Sequence, residues 1–242
     1  MELEGKRALI TGAGAIGGIG HQIAHDLIDV GAEVLITGRD PSRGAEAAES
    51  LGDRARFFVA DLRDRTALDG LVAAAGEIDI LVNNATAICR GRAVEGNITG
   101  LDEVLATNVR APCVLTAGLV PGMVSRRSGC VINISSLVAG RGTPGMGSYA
   151  ASKAALESLT KTWAAELGGS GVRVNAVSPG PIRSHKNLSE YPEELEEFGR
   201  ATPLGRSGST AEISQVVTFL ASERSSYLTG TVIPVDGGAR AV

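Results

Sequence analysis

Seven short apolar runs, separated by segments long enough for a helix, constrain the fold of this chain more than any other feature. The runs are continuous rather than alternating, which is typical of parallel strands buried under helices on both faces of a sheet. The sequence therefore predicts an α/β fold, a doubly wound and mainly parallel seven-stranded sheet. The runs cover residues 8–10, 34–36, 57–59, 80–82, 131–134, 172–177 and 231–235.

The composition favours a single domain over residues 1–242. Hydrophobic residues make up 43% of the chain and charged residues 21%, a balance that can fill one full interior. The alternation of strand-like and helix-like segments continues without a break in composition, so no domain boundary or linker is predicted.

The charge distribution argues against several classes of partner. The net charge is only −4 and the basic residues are spread along the chain, so we predict neither a nucleic-acid nor a membrane partner. Acidic residues precede the first apolar run, unlike a secretory signal. The longest uncharged apolar stretch, residues 111–124, is shorter than the roughly 20 residues that cross a bilayer. A cytoplasmic location is expected.

The cysteine and histidine patterns give no sign of a metal site. Three cysteines occur without any Cys-x-x-Cys spacing, so neither a disulfide framework nor a zinc site is predicted. His21 and His25 lie four residues apart on a predicted helix, but no third ligand is close in the sequence. We therefore predict no bound metal.

A glycine-rich segment follows the first predicted strand and leads directly into a helix. Backbone amides and a helix N-terminus can converge there on a pyrophosphate, whereas a flexible turn is the simpler alternative. Glycine suits such a loop because a Cβ would hold the phosphate away from the amides. The sequence leaves open which glycines contact phosphate among Gly12, Gly14, Gly17, Gly18 and Gly20.

Polar residues after the next strands complete a predicted dinucleotide site. Asp61 follows the third run and can accept a hydrogen bond from an adenine amino group, or simply cap the next helix. Asn84 and the small Ala85 follow the fourth run, and support of neighbouring strands is as reasonable there as cofactor contact. After the second run, Gly38 supplies no carboxylate and Arg39 can pair with a 2′-phosphate, which favours NADP(H) over NAD(H).

A second group of polar residues suggests proton-transfer chemistry. Tyr149 and Lys153 lie four apart in a predicted helix and therefore share one face. An ammonium near the phenol would lower its pKa from the usual value near 10. Ser135 and Ser136 end the fifth run, where either hydroxyl could bind a substrate oxygen that gains charge. Asn108 interrupts a predicted helix with a residue of low helical propensity.

Taken together, these motifs resemble the short-chain dehydrogenase/reductase family over nearly the whole chain. The resemblance implies a Rossmann-like oxidoreductase that interconverts a carbonyl and a secondary alcohol by hydride transfer. The family's spacing selects Ser136 over Ser135 as the residue that steadies the substrate oxygen. Tyr149 would be the general acid or base, Lys153 would lower the pKa of Tyr149, and Asn108 would hold a water in a proton relay.

The same resemblance extends the set of cofactor contacts. It implies that the segment after the sixth run binds the nicotinamide and that residues 181–207 form a lid over the substrate. Tyr149 and Lys153 would also contact the cofactor. The remaining implied contacts are Gly12, Gly14, Gly18, Ile19, Gly20, Arg39, Asp61, Leu62, Asn84, Ala85, Pro179, Gly180, Ile182 and Ser184.

The chain departs from the family pattern at two places. Its glycine turn is two residues longer than usual, with Gly18 and Gly20 as the expected equivalents of the last two glycines. Thr86 stands where a glycine usually follows the Asn-Asn-Ala motif, beside the expected nicotinamide channel.

Two other functions fit the same residues, and the sequence names no substrate. One is a dinucleotide-binding sensor or structural subunit without turnover, and the other is a non-redox epimerase or dehydratase with bound cofactor. The helix beginning near Tyr149 has small or apolar residues on more than one face, and the family commonly associates through such helices. A homodimer or homotetramer is therefore expected.

Overall fold

The computed structural model describes all residues 1–242 and contains one seven-stranded parallel sheet with helices on both faces. Six strands follow the chain in the order β1 (Arg7–Thr11), β2 (Glu33–Gly38), β3 (Ala55–Val59), β4 (Ile80–Asn83), β5 (Gly129–Ile134) and β6 (Val172–Pro179). Two short strands, β7 (Ile182–Arg183) and β8 (Gly208–Ser209), pair separately, and β9 (Val232–Val235) completes the main sheet. The predicted doubly wound fold is confirmed.

Nine α-helices connect these strands. They are α1 (Ile19–Asp29), α2 (Pro41–Leu51), α3 (Arg65–Ala75), α4 (Ile98–Leu105), α5 (Ala111–Arg126), α6 (Gly147–Leu167), α7 (His185–Glu190), α8 (Pro192–Arg200) and α9 (Thr210–Ala221). Capping side chains fix several of the starts: Asp40 accepts a hydrogen bond from the Arg43 amide, and Asp64 accepts one from the Thr66 amide. Ser209 and Glu212 form a reciprocal capping box at α9.

Both faces of the sheet are buried, which explains why the strands read as continuous apolar runs. On β1, the consecutive residues Leu9 and Ile10 are both fully buried, although their side chains point to opposite faces. Ile10 packs in a core with Ile23 of α1 and Val217 of α9, whereas Leu9 packs in a second core with residues of α3 and α5. The domain therefore has three layers with the sheet in the middle.

One helical region is longer than the sequence suggested. A π-helical turn, Ala106–Arg110, joins α4 to α5, so the helix runs from Ile98 to Arg126 over 29 residues. By length and composition alone this helix is apolar enough to cross a membrane. It packs against α3, α6 and β5 instead, as a core helix of the domain does. Its length and apolar composition are therefore only weak evidence for a membrane span.

The strand order brings the loops after β1 and β4 together at the carboxyl ends of the strands. Across the sheet the order is β3-β2-β1-β4-β5-β6-β9, so the chain builds outward in one direction from β1 and in the other from β4. Loops that follow β1 and β4 therefore diverge and leave a crevice at the carboxyl ends of the strands, where open α/β sheets bind ligands.

Candidate active site

The glycine-rich loop after β1 packs against the end of β4 with no room for side chains. Gly12 has a φ of +67°, and a Cβ on it would lie 2.6 Å from the Cα of Ala85. A Cβ on Gly20 would lie 2.5 Å from Nδ2 of Asn84. Glycine is required at both positions because any side chain would push the loop away from β4.

The start of α1 shows how the lengthened loop is accommodated. The helix begins at Ile19, and Gly18 is its N-cap. Its first backbone amides are available to an anion. Gly14 instead lies toward β2 and α2, where a Cβ would meet Phe57 at 3.2 Å and Gly44 at 3.4 Å. Gly18 and Gly20, the expected equivalents of the family glycines, both lie at the N-terminus of α1.

Asparagine side chains join the strands on either side of the crevice. Asn84 Nδ2 donates to the carbonyl oxygens of Thr11 (2.8 Å) and Gly12 (3.1 Å). The Thr11 hydroxyl accepts from the amides of Asn84 and Ala85, each at 3.0 Å. Asn83 Nδ2 donates to Asn133 Oδ1 on β5 at 2.8 Å. Of the two alternatives left open by the sequence, support of neighbouring strands is the one visible in these bonds.

The far end of the crevice, after β2 and β3, is rich in arginine. Both oxygens of Asp61 accept from the Arg63 guanidinium, with distances of 3.0 Å from Nε and 2.7 Å from Nη2. These bonds hold the pKa of Asp61 at about 2, and the nearby Arg39 adds a smaller lowering effect. Leu62 is buried, whereas Arg39 is exposed at the end of β2. Asp40, the other acid in the loop, is used as the cap of α2.

The two serines after β5 have different surroundings. The Ser135 hydroxyl is buried and donates to Glu157 Oε1 at 2.7 Å, away from the crevice. The Ser136 hydroxyl faces the Tyr149 phenol and favours its ionised form, and Ser136 is the N-cap of a short 3-10 helix, Leu137–Gly140. The choice of Ser136 from the family spacing agrees with this arrangement.

Tyr149 lies in the first turn of α6, with its phenol between two hydroxyls. Burial raises the pKa of Tyr149, and hydrogen bonds from Ser136 and from Thr86 oppose that rise without cancelling it. The sequence predicted a lowered pKa caused by Lys153. In the protein itself the direction is the opposite, because desolvation of the phenolate outweighs the favourable contacts.

Lys153 is fully buried one turn further along α6. Its Nζ donates to the carbonyl oxygen of Ile134 at 2.7 Å and lies 5.7 Å from the centroid of the Tyr149 ring. Burial lowers the pKa of Lys153 to about 7. The ammonium is therefore easily deprotonated, and the backbone of β5 holds it at the crevice.

Asn108 occupies the π-helical turn between α4 and α5, and such turns are frequent at functional sites. Its Oδ1 accepts from the Ala87 amide at 2.8 Å, and its Nδ2 donates to the Ala87 carbonyl (2.9 Å) and to the Ser152 hydroxyl (3.0 Å). Ser152 donates in turn to the Tyr149 carbonyl at 2.7 Å. Asn108 thus connects the loop after β4 to the helix that carries Tyr149.

Comparison with known proteins gives matches over nearly the whole chain. A family model described as enoyl-(acyl carrier protein) reductase matches residues 12–240. The 3-oxoacyl-[acyl-carrier-protein] reductase FabG of Thermotoga maritima is 39% identical over 98% of this chain and 99% of its own length. The chain belongs to the short-chain dehydrogenase/reductase family. It is an NAD(P)-dependent oxidoreductase that acts on CH–OH groups of a small-molecule substrate.

Further relatives agree with this family assignment. FabG of Rickettsia bellii is 37% identical over 98% of both chains. A solved structure described as a short chain dehydrogenase/reductase family protein matches with a TM-score of 0.95 and 46% identity, and each chain is covered completely. These matches favour an oxidoreductase over a dinucleotide-binding sensor or a non-redox enzyme.

In this short-chain dehydrogenase/reductase, the segment after β6 leads from the sheet into the lid. Gly180 packs against Asp236, where a Cβ would lie 2.6 Å from the Asp236 Cα. Ile182 and Ser184 are buried, and Ser184 is the N-cap of α7. The His185 amide donates to the Gly17 carbonyl at 3.0 Å, so the segment contacts the glycine loop directly.

The predicted lid, residues 181–207, is largely helical. It contains α7 and α8, and its end is fixed where β7 pairs with β8. Arg90, from the loop after β4, stacks 4.4 Å from the centroid of the Tyr191 ring and binds Glu194 at 3.1 Å. The predicted lid segment therefore contacts the loop after β4 through Arg90.

Three residues of the site were not recognised as such in the sequence. Thr86 was noted only as a departure from the family pattern, but its hydroxyl reaches the Tyr149 phenol. Arg63 and Glu157 gave no motif signal, because their partners become neighbours only through strand and helix packing.

The histidines on α1 do not converge on one site. His21 Nε2 lies 2.8 Å from the Ser50 hydroxyl, and His25 pairs with Asp26 and Asp29 on the surface of the helix. The exposed group formed by His25 and the two aspartates resembles many acidic surface clusters that hold no ion.

Proposed function

We propose that this enzyme reduces a ketone to a secondary alcohol with NADPH, and that Ser136, Tyr149 and Lys153 carry the chemistry. A bound dinucleotide supplies the hydride. The observation that supports the proposal most strongly is the contact of the Tyr149 phenol with the Ser136 hydroxyl, beside buried Lys153, at the edge of the sheet where the glycine loop ends.

The raised pKa of Tyr149 suits it to give up a proton to a substrate oxygen. Since burial keeps the phenol protonated at neutral pH, Tyr149 is present in the form that acts as a general acid. Ser136 donates a hydrogen bond to the same substrate oxygen as negative charge develops on it. Asn108 holds the wall formed by Ala87 and the start of α6 in place around the phenol.

The residues of the glycine loop and its neighbours fit a dinucleotide. The N-terminus of α1, beginning at Gly18 and Ile19, would bind the pyrophosphate, and Asp61 and Leu62 would flank the adenine. Tyr149 and Lys153 would also contact the nicotinamide half, with Asn84, Ala85 and the segment after β6. Preference for NADP(H) is supported by the exposed Arg39, since the neighbouring Asp40 is engaged as a helix cap.

The names of the relatives suggest the substrate class to test first. FabG of Thermotoga maritima, as its name states, reduces 3-oxoacyl groups carried on acyl carrier protein. We propose a 3-oxoacyl thioester as the substrate. Leu188 and Phe198, two exposed apolar residues of the predicted lid, are compatible with an acyl chain.

The test measures NADPH oxidation with 3-oxoacyl thioesters of several chain lengths, simple ketones and sugar-acid ketones. We expect turnover with the thioesters, and we expect Ser136→Ala to lower kcat about 10²–10³-fold, as removal of one donor to a developing oxyanion does. Failure of both dinucleotides to react with any carbonyl would overturn the proposal. Equal rates for Ser136→Ala and the natural protein would remove Ser136 from the site.

We further propose a homodimer or homotetramer in the cytoplasm. Ala151 on α6 and Ile98 and Leu105 on α4 are exposed apolar residues on neighbouring helices. Association would bury this surface. Light scattering checks the oligomeric state, and a monomeric mass at micromolar concentration would contradict it.

A further inference from the structure

A partly buried ion pair behind Ser136 brings the C-terminal segment into contact with the active site. Arg240 Nη2 donates to Glu157 Oε1 at 3.0 Å and to the carbonyl oxygen of Ser136 at 3.3 Å. The Arg240 side chain is 23% exposed and that of Glu157 is 15% exposed. Nη2 can bind both acceptors at once because it carries two N–H groups, which point in different directions within the plane of the guanidinium.

The pair completes a set of bonds along the end of β5. Lys153 Nζ donates to the Ile134 carbonyl, and the Ser135 hydroxyl donates to Glu157 Oε1 at 2.7 Å. Glu157 lies one helical turn after Lys153 on α6. Three consecutive residues, Ile134 to Ser136, are thus fixed by α6 and by Arg240.

Arg240 is itself held in position by the turn after β9. Asp236 Oδ2 accepts from the Arg240 amide at 3.0 Å, and Oδ1 accepts from the Gly238 amide at 2.9 Å. Gly140 leaves space for the guanidinium, since a Cβ there would lie 3.1 Å from Arg240 Nη2. The Asp236 turn thus holds the Arg240 backbone, and Gly140 leaves room for its guanidinium beside the loop that carries Ser136.

Local bonds restrain the Ser136 backbone, whose carbonyl oxygen accepts from the Ala139 amide at 3.0 Å, but they leave the Ser136 hydroxyl weakly restrained. Its hydroxyl accepts from the Val138 amide only at 3.5 Å, and its backbone is extended rather than helical. A hydroxyl that binds a reacting oxygen must keep its position closely, because a displacement of about 1 Å can cost roughly 10²-fold in rate.

We propose that Arg240 and Glu157 are positioning residues that fix the Ser136 loop relative to Tyr149. The inference rests on the role of Ser136 proposed above. Arg240 acts on the Ser136 carbonyl, and Glu157 acts through Ser135 while it orients Arg240. Neither contacts the glycine loop, so both leave dinucleotide binding to other residues.

The test compares Arg240→Met, Arg240→Lys and Glu157→Gln, with Arg173→Met as the matched control. The Arg240 guanidinium binds two acceptors, and that of Arg173 binds three: Ser225 Oγ (2.9 Å), the Leu220 carbonyl (2.8 Å) and the Ser222 carbonyl (3.2 Å). Arg173 lies near the amino end of β6, away from the crevice. Each kcat is divided by the number of NADPH-binding sites found by titration, which removes any loss of folded protein.

We expect Arg240→Met to lower kcat per site about tenfold or more, with an unchanged Kd for NADPH, and Arg240→Lys to recover part of the loss. Glu157→Gln should act in the same direction, and combining it with Arg240→Met should cost less than the sum of the single effects. Arg173→Met should lower the melting temperature but not kcat per site.

Unchanged kcat per site in both Arg240→Met and Glu157→Gln would overturn the inference, as would an equal loss in Arg173→Met. A control measurement on Ser136→Ala separates two kinds of failure. If Ser136→Ala retains full activity, the proposed site is wrong. If it loses activity while the Arg240 and Glu157 variants do not, only the positioning role is wrong.

Discussion

The two sides of the crevice are built in different ways. On the side of the glycine loop, backbone packs against backbone, and Gly12 and Gly20 leave no space for a Cβ beside β4. On the side of Tyr149, polar side chains are buried and paired, among them Asn108, Ser152 and Lys153. The wall at the glycine loop can pack closely only because its glycines lack a Cβ. The wall at Tyr149 is stable only because its buried polar groups have hydrogen-bonding partners.

This difference predicts opposite sensitivities. Additional atoms in the glycine loop should disturb dinucleotide binding, because close-packed backbone cannot move without moving β4. Loss of a polar group on the other side should mainly lower the catalytic rate, or lower the stability of the protein by leaving a buried partner without a hydrogen bond. Four variants test this division, from the largest expected effect to the smallest.

Tyr149→Phe should give the largest effect. Without the phenolic hydroxyl there is no positioned proton donor, so we expect kcat to fall by roughly 10²–10⁴-fold with little change in the Kd for NADPH. Steady-state kinetics and a fluorescence titration of NADPH measure the two quantities. A loss of NADPH affinity as large as the loss of kcat would contradict the assignment of binding to one wall and catalysis to the other.

Lys153→Met tests the cost of burying an amine. Lys153 has a pKa of about 7 in the folded protein and 10.5 as its usual value, so between these pH values the unfolded chain binds a proton that the folded chain has released. The free energy of unfolding of the natural protein should therefore rise with pH relative to Lys153→Met, by a few kcal/mol at most. Urea unfolding at about pH 7 and about pH 9.5, both within the range where the two states bind different numbers of protons, measures the difference. Parallel pH curves for the two proteins would contradict the prediction.

Gly20→Ala should affect the other wall. The added methyl group would meet Asn84 Nδ2 and the Gly12 carbonyl, so we expect a loss of about 1–3 kcal/mol in the free energy of unfolding and weaker dinucleotide binding. Gly168→Ala is the matched control, because a Cβ at Gly168 meets nothing within 4 Å. Equal stability of the two variants would show that the loop is less tightly packed than described.

Arg39→Ala should have the smallest of the four effects and should depend on the cofactor. Because Arg39 is exposed, its pairing with the 2′-phosphate should contribute about 1 kcal/mol or less, so the KM for NADPH should rise by up to roughly fivefold while the KM for NADH stays the same. Arg65→Ala removes an equally exposed arginine that pairs with Asp69 on α3, and serves as the control. Equal changes for both dinucleotides would remove Arg39 from the recognition of the 2′-phosphate.

Local sequence determined much of this protein. The continuous apolar runs predicted the parallel sheet because both faces of the central strands had to be buried, and the position of the glycine segment predicted the loop at the start of α1. The spacing of Tyr149 and Lys153 on one helix face was equally local information. The helix that includes Asn108 was also foreseen, but its π-helical turn was not.

Only the tertiary structure decided what these residues touch. The direction of the pKa shift of Tyr149 depends on how deeply α6 is buried, and the contacts of Thr86 and Arg240 join segments far apart in the chain. Secondary structure follows from periodicity, which is carried by near neighbours. Desolvation and hydrogen bonding depend instead on every group that packing brings together, so they cannot be read from spacing along the chain.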